Sequence, residues 1–316
     1  MAARPLREAW RRVGAPPVQW WTGPVDTVHG TNYVVPPAGR AGRVVTVHDL
    51  TPVRFPELAN RDTLLYPELV RRAVDRGALV HTDSTFVAEE VRSWLGVPDD
   101  RVVPVLLGLA PQLAGDPAAG RRRALGDGRA EGRYVLAVGT VEPRKDLPGL
   151  VAAFDRIAPD LDDLRLVIAG PDGWGADALD RAIAASPHRD RVHRLGWVDD
   201  RARADLLAGA TAVAYPSRYE GFGFVPLEAM AAGVPVVCTD AGSLPEVVGD
   251  AAALVPVGDV DALADALAQV CDDADRRADL VARGRRRAAT FSWERCADGL
   301  VALYRRAAEE APCGRS

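Results

Sequence analysis

Two glutamates stand eight positions apart in Glu220-Gly221-Phe222-Gly223-Phe224-Val225-Pro226-Leu227-Glu228, around glycine-flanked aromatics and an expected helix start. Pro226 suits the first turn of a helix, which places Glu228 inside that turn, while Gly221 and Gly223 let the preceding backbone approach a ligand closely. Exposed N–H groups at such a start face an anion. A second junction, VLAVGTVEPRKDLPGL, carries Lys145 directly after Arg144, and of the 39 lysine and arginine residues in the chain this is the one lysine. A guanidinium gives a planar fork and an ammonium a compact charge, so together they suit a diphosphate. Each charge-assisted hydrogen bond would contribute roughly 1.5–3 kcal/mol. Cations sit badly beside the positive end of a helix unless an anion joins them. Glu228 alone has an equally good structural reading, because the helix dipole favours a glutamate in the first turn. Glu220 lies in the loop before the helix, where aromatic and glycine residues could hold a sugar ring. The two glutamates with the basic pair read as a sugar-nucleotide site.

These residues need a frame. From Tyr134 onward the runs YVLAVG, LRLVIAG, RVHRLG, TAVAYP, PVVCTD and AALVPV each precede a helix-like segment. Continuous apolar runs alternating with helices predict a parallel sheet in a doubly wound α/β domain. Such sheets bind ligands at the carboxyl ends of their strands, where Gly139 to Asp146, Gly170 to Gly175, Gly196 to Asp199 and Ser217 to Glu228 fall. The first half offers VDTVHG, RVVTVHDL, ALVHTD and RVVPVLL as strands, separated by helical stretches such as LLYPELVRRAVDRGA and STFVAEEVRSWLG. A second α/β domain is therefore expected over residues 1–115. Residues 116–132, rich in glycine, proline, alanine and charge, read as a linker with room for one short helix. The second domain runs over 133–291, and 292–316 forms a terminal helix with Ser292 suited to its N-cap.

The bulk numbers agree with a globular protein. A length of 316 residues, 48% apolar and 26% charged, allows two domains with substantial cores. A net charge of -5 gives no warrant for nucleic-acid binding, and the arginine runs at 121–123 and 285–287 read as solvated faces. Cys238, Cys271, Cys296 and Cys313 show no metal or disulfide spacing, which suits a reducing cytosol. The start, MAARPLREAWRRVG, has no apolar h-region, and no later run reaches the about 18 apolar residues of a membrane span. No phosphate loop of the Walker type occurs. Asp160-Leu161-Asp162 and Asp273-Ala274-Asp275 imitate a metal-binding DxD, but the first precedes its strand and the second lies between helices. Both are expected to face solvent, and no metal or cofactor is expected.

The E-x7-E arrangement of Glu220 and Glu228, the EPRKD turn, and the phrase EAMAAGVPVVCTDAGSLPEVVGDAA resemble the retaining glycosyltransferases of family 4. HGTNYVVPP and TVHDLTPVRFP extend the resemblance into the first half. It implies GT-B architecture, two Rossmann-like doubly wound parallel-sheet domains facing a central cleft. It implies that Arg144 and Lys145 hold the donor diphosphate near Gly139, that Glu228 takes the ribose hydroxyls, and that Glu220 with the Gly221, Phe222, Gly223 and Phe224 backbone holds the donor sugar. Val225 and Leu227 complete the donor wall, and Gly196 and Val198 meet the base. His48, ending VVTVHDL, matches the histidine that reaches the transferred hexose from the opposite domain. His29 is read as a strand-end histidine bonded to neighbouring backbone, or as an acceptor-side residue. An arginine that relatives carry after the strand glycine is here Thr140, which leaves Arg144 to act alone. Relatives also open with a strand, a glycine-rich loop and a helix before the first strand found here, so the N-terminal domain is expected to be incomplete.

The expected activity is metal-independent transfer of a hexose, mannose foremost, from a nucleoside-diphosphate sugar to a glycan or lipid-linked acceptor with retention of configuration. The expected setting is the cytoplasm, with peripheral contact at the membrane's inner face open. Trp20 and Trp21 could make that contact, although tryptophans near a chain start are more often buried packing. The alternatives are a non-catalytic nucleotide-sugar-binding module and a nucleotide-sugar epimerase. Guanosine and uridine donors are both open.

Overall fold

The computed structural model describes residue 10 and residues 15–59, 63–111, 113–126 and 132–311. Cys313 lies outside them. The chain divides into two compact units, Met1–Gly108 with Trp293–Ser316, and Leu109–Ser292.

The first unit holds a four-stranded parallel sheet in the order β1 (Thr27–Gly30), β2 (Gly42–Val47), β3 (Leu79–Thr82) and β4 (Val102–Pro104). All four sequence candidates become strands. Helices α1 (Tyr66–Asp75) and α2 (Thr85–Leu95) make the crossovers, and Ser84 caps α2 by accepting from the Val87 N–H. Val45, Val47, Val70, Val80, Val87 and Val91 build one core. The terminal helix, Trp293–Glu309, belongs to this unit and packs Leu303 and Ala307 against Val44 and Leu79. The approach is close enough that a side chain at Gly42 would stand 2.1 Å from the Ala307 carbonyl oxygen. Thr27 donates to the Tyr304 carbonyl at 3.0 Å, and Arg101 pairs with Glu310 at 2.7 Å. Trp20 and Trp21 lie on a single helical turn, Gln19–Thr22, and are 76% and 60% exposed. The reading of this pair as buried packing is therefore corrected, since the turn has no buried residue to anchor it.

The second unit is a six-stranded parallel sheet in the order β10-β9-β8-β5-β6-β7. Its strands are β5 (Arg133–Val138), β6 (Leu164–Ala169), β7 (Val192–Gly196), β8 (Ala212–Tyr215), β9 (Val236–Thr239) and β10 (Ala253–Val255). Each coincides with a run picked from sequence. Strands β8 and β9 are buried at every residue, which is why they read as unbroken apolar runs: helices cover both faces. Leu150, Phe154, Leu164, Leu166, Ile168 and Leu267 lie in the core on one face, and a fully buried side chain of this kind contributes about 1.5–3 kcal/mol.

Residues 117–125 form a helix, α3, within this unit rather than a free connection. Asp116 caps it by accepting from the Ala118 N–H, and its own N–H donates to Asp205 at 2.7 Å. A Cβ at Gly120 would lie 1.9 Å from the Asp205 carbonyl oxygen, so the glycine is there to let two helices touch. Glycine and charge gave this stretch the composition of a linker, but here they serve close packing.

Candidate active site

Strands β5, β6 and β7 run outward in one direction, and β8 then returns to the other side of β5. The gap beyond β5 and β8 is the topological switch point of the sheet, where open α/β folds receive ligands. The loops after these two strands carry Arg144, Lys145 and Glu220. Glycines let neighbouring loops close up at this edge. The Gly139 N–H donates to the Ala169 carbonyl at 3.0 Å and the Gly170 N–H to the Gly196 carbonyl at 2.8 Å, extending the ladder past the strands. A Cβ at Gly170 would meet the Gly139 oxygen at 2.0 Å. Gly196, at φ 67°, opens onto free space.

The EPRK segment makes a tight turn, Pro143–Lys145, ending at Asp146 in the left-handed region, after which α4 (Leu147–Ile157) begins; α5 (Ala176–Ala185) follows β6. The loop after β8 is tied to this turn. The Arg218 N–H donates to the Arg144 carbonyl at 2.7 Å, and the Arg218 guanidinium pairs with Asp146 at 3.2 Å. From the other side, the Ser243 hydroxyl donates to the Glu220 and Phe222 carbonyls at 3.0 and 2.9 Å. The Ser243 N–H also donates to the Glu220 carbonyl at 3.0 Å, so Ser243 holds Glu220 by its main chain and its side chain together.

Its carboxylate meets both cations. Lys145 Nζ lies 2.5 Å from Oε1, and Arg144 Nη1 lies 2.8 Å from Oε2. Arg144 Nε also donates to Glu142 at 2.9 Å. Lys145 makes a further hydrogen bond to the Tyr215 hydroxyl at 2.5 Å and sits over that ring, 4.4 Å from its centre. Burial pushes the Glu220 carboxyl up, but Lys145 and then Arg144 outweigh it and hold the group below the usual carboxylate range. Burial acts against the Arg144 charge as well, yet Glu220 and Glu142 more than restore it. For Lys145, burial is the largest influence and draws its pKa down, with Arg144 adding to that and Glu220 opposing. Burial also drives the Tyr215 phenol well above its usual range, so its hydroxyl stays neutral.

This changes one inference drawn from sequence. The cations are not exposed helix-end charges in need of an anion, for Lys145 is only 11% exposed and Glu220 already compensates it. Glu142, Glu220, Arg144 and Lys145 form one cluster of paired charges.

Helix α7 spans Phe224–Ala231, with Gly223 at φ 113° before it and no side chain capping it. Glu228 therefore stands in the second turn rather than the first, because the helix begins two residues ahead of Pro226. The dipole explanation for Glu228 loses force accordingly. Its carboxylate pairs instead with Arg203 from helix α6, Asp200–Gly209. Phe222 and Leu227 are buried, Phe222 packing edge-on against Phe224 and Phe291, so neither side chain faces outward. Phe224 is exposed, and Val225 and Val198 are half-buried.

His48 belongs to the first unit, at the end of β2. Its Nδ1 lies 2.6 Å from the buried Asp83 carboxylate and its Nε2 2.9 Å from the Thr31 carbonyl. With acceptors at both ring nitrogens, the protonated imidazole is favoured. Burial alone would lower its pKa, but the Asp83 hydrogen bond and charge raise it above the ordinary value. His29 sits in a chain of side chains. His81 Nε2 donates to the Val105 carbonyl at 3.1 Å, His81 Nδ1 and His29 Nε2 lie 2.8 and 2.7 Å from the Thr46 hydroxyl, and His29 Nδ1 lies 2.7 Å from the Tyr304 hydroxyl. Burial lowers the pKa of both histidines. With His81 and His48 adding to burial, His29 falls to about 4. The expected bonding of His29 to neighbouring backbone is corrected: its partners are the Tyr304 and Thr46 side chains, brought to it by the terminal helix and by β2.

The two DxD look-alikes are exposed at their acids, and Asp273 caps a helix by accepting from the Arg276 N–H. Among the described residues no three His, Cys, Asp or Glu side chains group so as to hold a metal. No helix among them is long and apolar enough to cross a membrane.

Tyr215, Ser243 and Arg203 escaped the sequence reading. A tyrosine ending an apolar strand two residues before Ser217 was a usable signal. Arg203 had none, as one arginine among many.

Two parallel-sheet α/β units, the larger with charged loops at its switch point, define the architecture of a GT-B glycosyltransferase. The family model for glycosyl transferases group 1 matches residues 127–287. The O-antigen chain mannosyltransferase B of Escherichia coli is 35% identical over 287 residues, covering 88% of this chain and 73% of that relative. A D-inositol 3-phosphate glycosyltransferase of Kribbella flavida is 34% identical over 314 residues, covering 92% of this chain and 70% of that relative. Sucrose-phosphate synthase of Thermosynechococcus elongatus matches with a TM-score of 0.70 at 26% identity, over 84% of this chain and 68% of that one. The chain belongs to the glycosyl transferases group 1 family, and its activity is the transfer of sugar from a nucleotide sugar.

Proposed function

We propose that the chain transfers a hexose, mannose foremost, from a nucleoside-diphosphate sugar to a glycan or lipid-linked acceptor, with retention of configuration and without a metal. The observation that carries this is the meeting of Lys145, Arg144 and Glu220 at the switch point. Breaking the anomeric C–O bond leaves an electron-poor sugar carbon and an anionic diphosphate. Arg144 and Lys145 would take the charge growing on the departing phosphate, where fixed charges act with little reorganisation. Glu220 would turn to the donor sugar as they do so. No described side chain is placed as a covalent nucleophile in this reading. The departing phosphate oxygen accepts the acceptor's proton as its oxygen attacks the same face of the sugar. The mannosyltransferase relative supports mannose and a polysaccharide acceptor. Exposed Trp20 and Trp21 support contact with a membrane-borne acceptor at the cytoplasmic face.

The test is product analysis with GDP-mannose and UDP-hexoses, with and without a strong chelator. An α-linked product from an α-linked donor, formed at an unchanged rate under chelation, is expected. Inversion or chelator sensitivity would overturn the mechanism. Donor binding without turnover on any acceptor would favour a binding module, and an epimerised free nucleotide sugar would favour an epimerase.

A further inference from the structure

Glu228 sits on a helix between buried Leu227 and Ala229, and its side chain is 12% exposed. A carboxylate so placed is costly unless paired. The partner, Arg203, comes from the first turn of α6, which follows the carboxyl end of β7, whereas Glu228 follows β8. The two helices therefore meet through this pair from different strands of the sheet. Helix α6 is a firm support: Asp199 caps it by accepting from the Ala202 N–H at 2.7 Å, and Ala202, Leu206 and Leu207 are buried. The ion pair with Arg203 is made at Oε2, which is buried and has no hydrogen bond of its own, and this leaves Oε1 to accept from a ligand. A guanidinium held by charge against one buried oxygen limits the directions in which the other can point.

We infer that Arg203 is a positioning residue for the nucleotide, aiming Glu228 at the ribose hydroxyls and so setting how strongly the site prefers ribose to deoxyribose. The inference rests on the proposed donor, with Glu228 meeting the ribose. Arg203 itself needs no contact with substrate, and its effect falls on binding of the ribose rather than on the bond broken.

Calorimetry of GDP and UDP against their 2′,3′-dideoxy forms tests this on the full chain. The wild type should favour the ribo form of its nucleotide by about tenfold or more, the scale of one hydrogen bond to a charged group. In Arg203→Leu that preference should fall to within about threefold, through weaker binding of the ribo form while the dideoxy form binds as before. Arg203→Lys should keep an intermediate preference, and Glu228→Gln should match Arg203→Leu. Circular dichroism of each variant separates misfolding from lost discrimination, and if Arg203→Leu does not fold, the lysine variant decides. An undiminished preference, or equal loss for both forms, overturns the inference alone. Absence of binding by either diphosphate to the wild type overturns the proposed donor and this inference with it.

Discussion

Lys145 and Glu220, 75 positions apart in the chain, meet at 2.5 Å with almost no exposure to solvent. Their union ties the loop after β5 to the loop after β8, and it makes the candidate site a charged core element as much as a surface.

Removing one member should therefore cost stability as well as function. Lys145→Met leaves a buried carboxylate without its nearest partner, a loss of about 3–5 kcal/mol. At about 2–4 °C per kcal/mol for a domain of this size, thermal unfolding should fall by roughly 10 °C. The double variant Lys145→Met, Glu220→Gln should recover most of that and none of the transferase activity. Equal melting temperatures for wild type and Lys145→Met would show that the pair contributes nothing.

Glu220→Gln should separate the two halves of the ligand. Without the carboxylate, Arg144 and Lys145 lose an internal counter-charge, so nucleoside diphosphate should bind as well as before or more tightly. Transfer should fall by at least about tenfold, one charge-assisted hydrogen bond's worth. Parallel loss of diphosphate affinity and rate, read by calorimetry and initial rates, would remove Glu220 from the sugar.

The first unit should respond to pH through its histidines, in opposite senses. His29 titrates near 4 when folded and near its ordinary 6.5 when unfolded, so the unfolded chain binds more protons between those values. Its contribution is complete above about pH 6.5 and is lost as pH falls toward 4. His81, also lowered mainly by burial, acts the same way. His48 is raised, so its contribution is complete below its unfolded pKa and is lost as pH rises through the folded one. Denaturant unfolding at pH 7, 6 and 5 should show falling stability for the wild type and a flatter profile for His29→Asn. An unchanged slope in that variant would place the acid sensitivity elsewhere.

Every strand among the described residues was legible, because apolar runs bounded by glycine are hard to hide in a parallel sheet. Arg144, Lys145 and Glu220 were legible as a group, since their loops follow strands that the switch-point rule brings together. What misled was local composition. The stretch around Gly120 read as a linker and is a packed helix, and Pro226 does lie in the first turn, but as its third residue, which moves Glu228 into the second. Trp20 and Trp21 looked like core, because apolarity alone does not say which face of a short turn the chain covers. The Arg203–Glu228 pair was invisible, as nothing in the spacing of two residues on separate helices reports their meeting.

The helix that finishes the first sheet is drawn from the last stretch of the chain, after the whole second unit has been passed. On the ribosome, Val44 and Leu79 must wait uncovered while β5 to β10 emerge and close on themselves. The larger unit can reach its fold as one continuous segment, whereas the smaller one is assembled last, around a seam joining residues near 42 to residues near 307. A shortened version ending at Ser292 would release a sheet with one bare face, and that bare face would seek other chains.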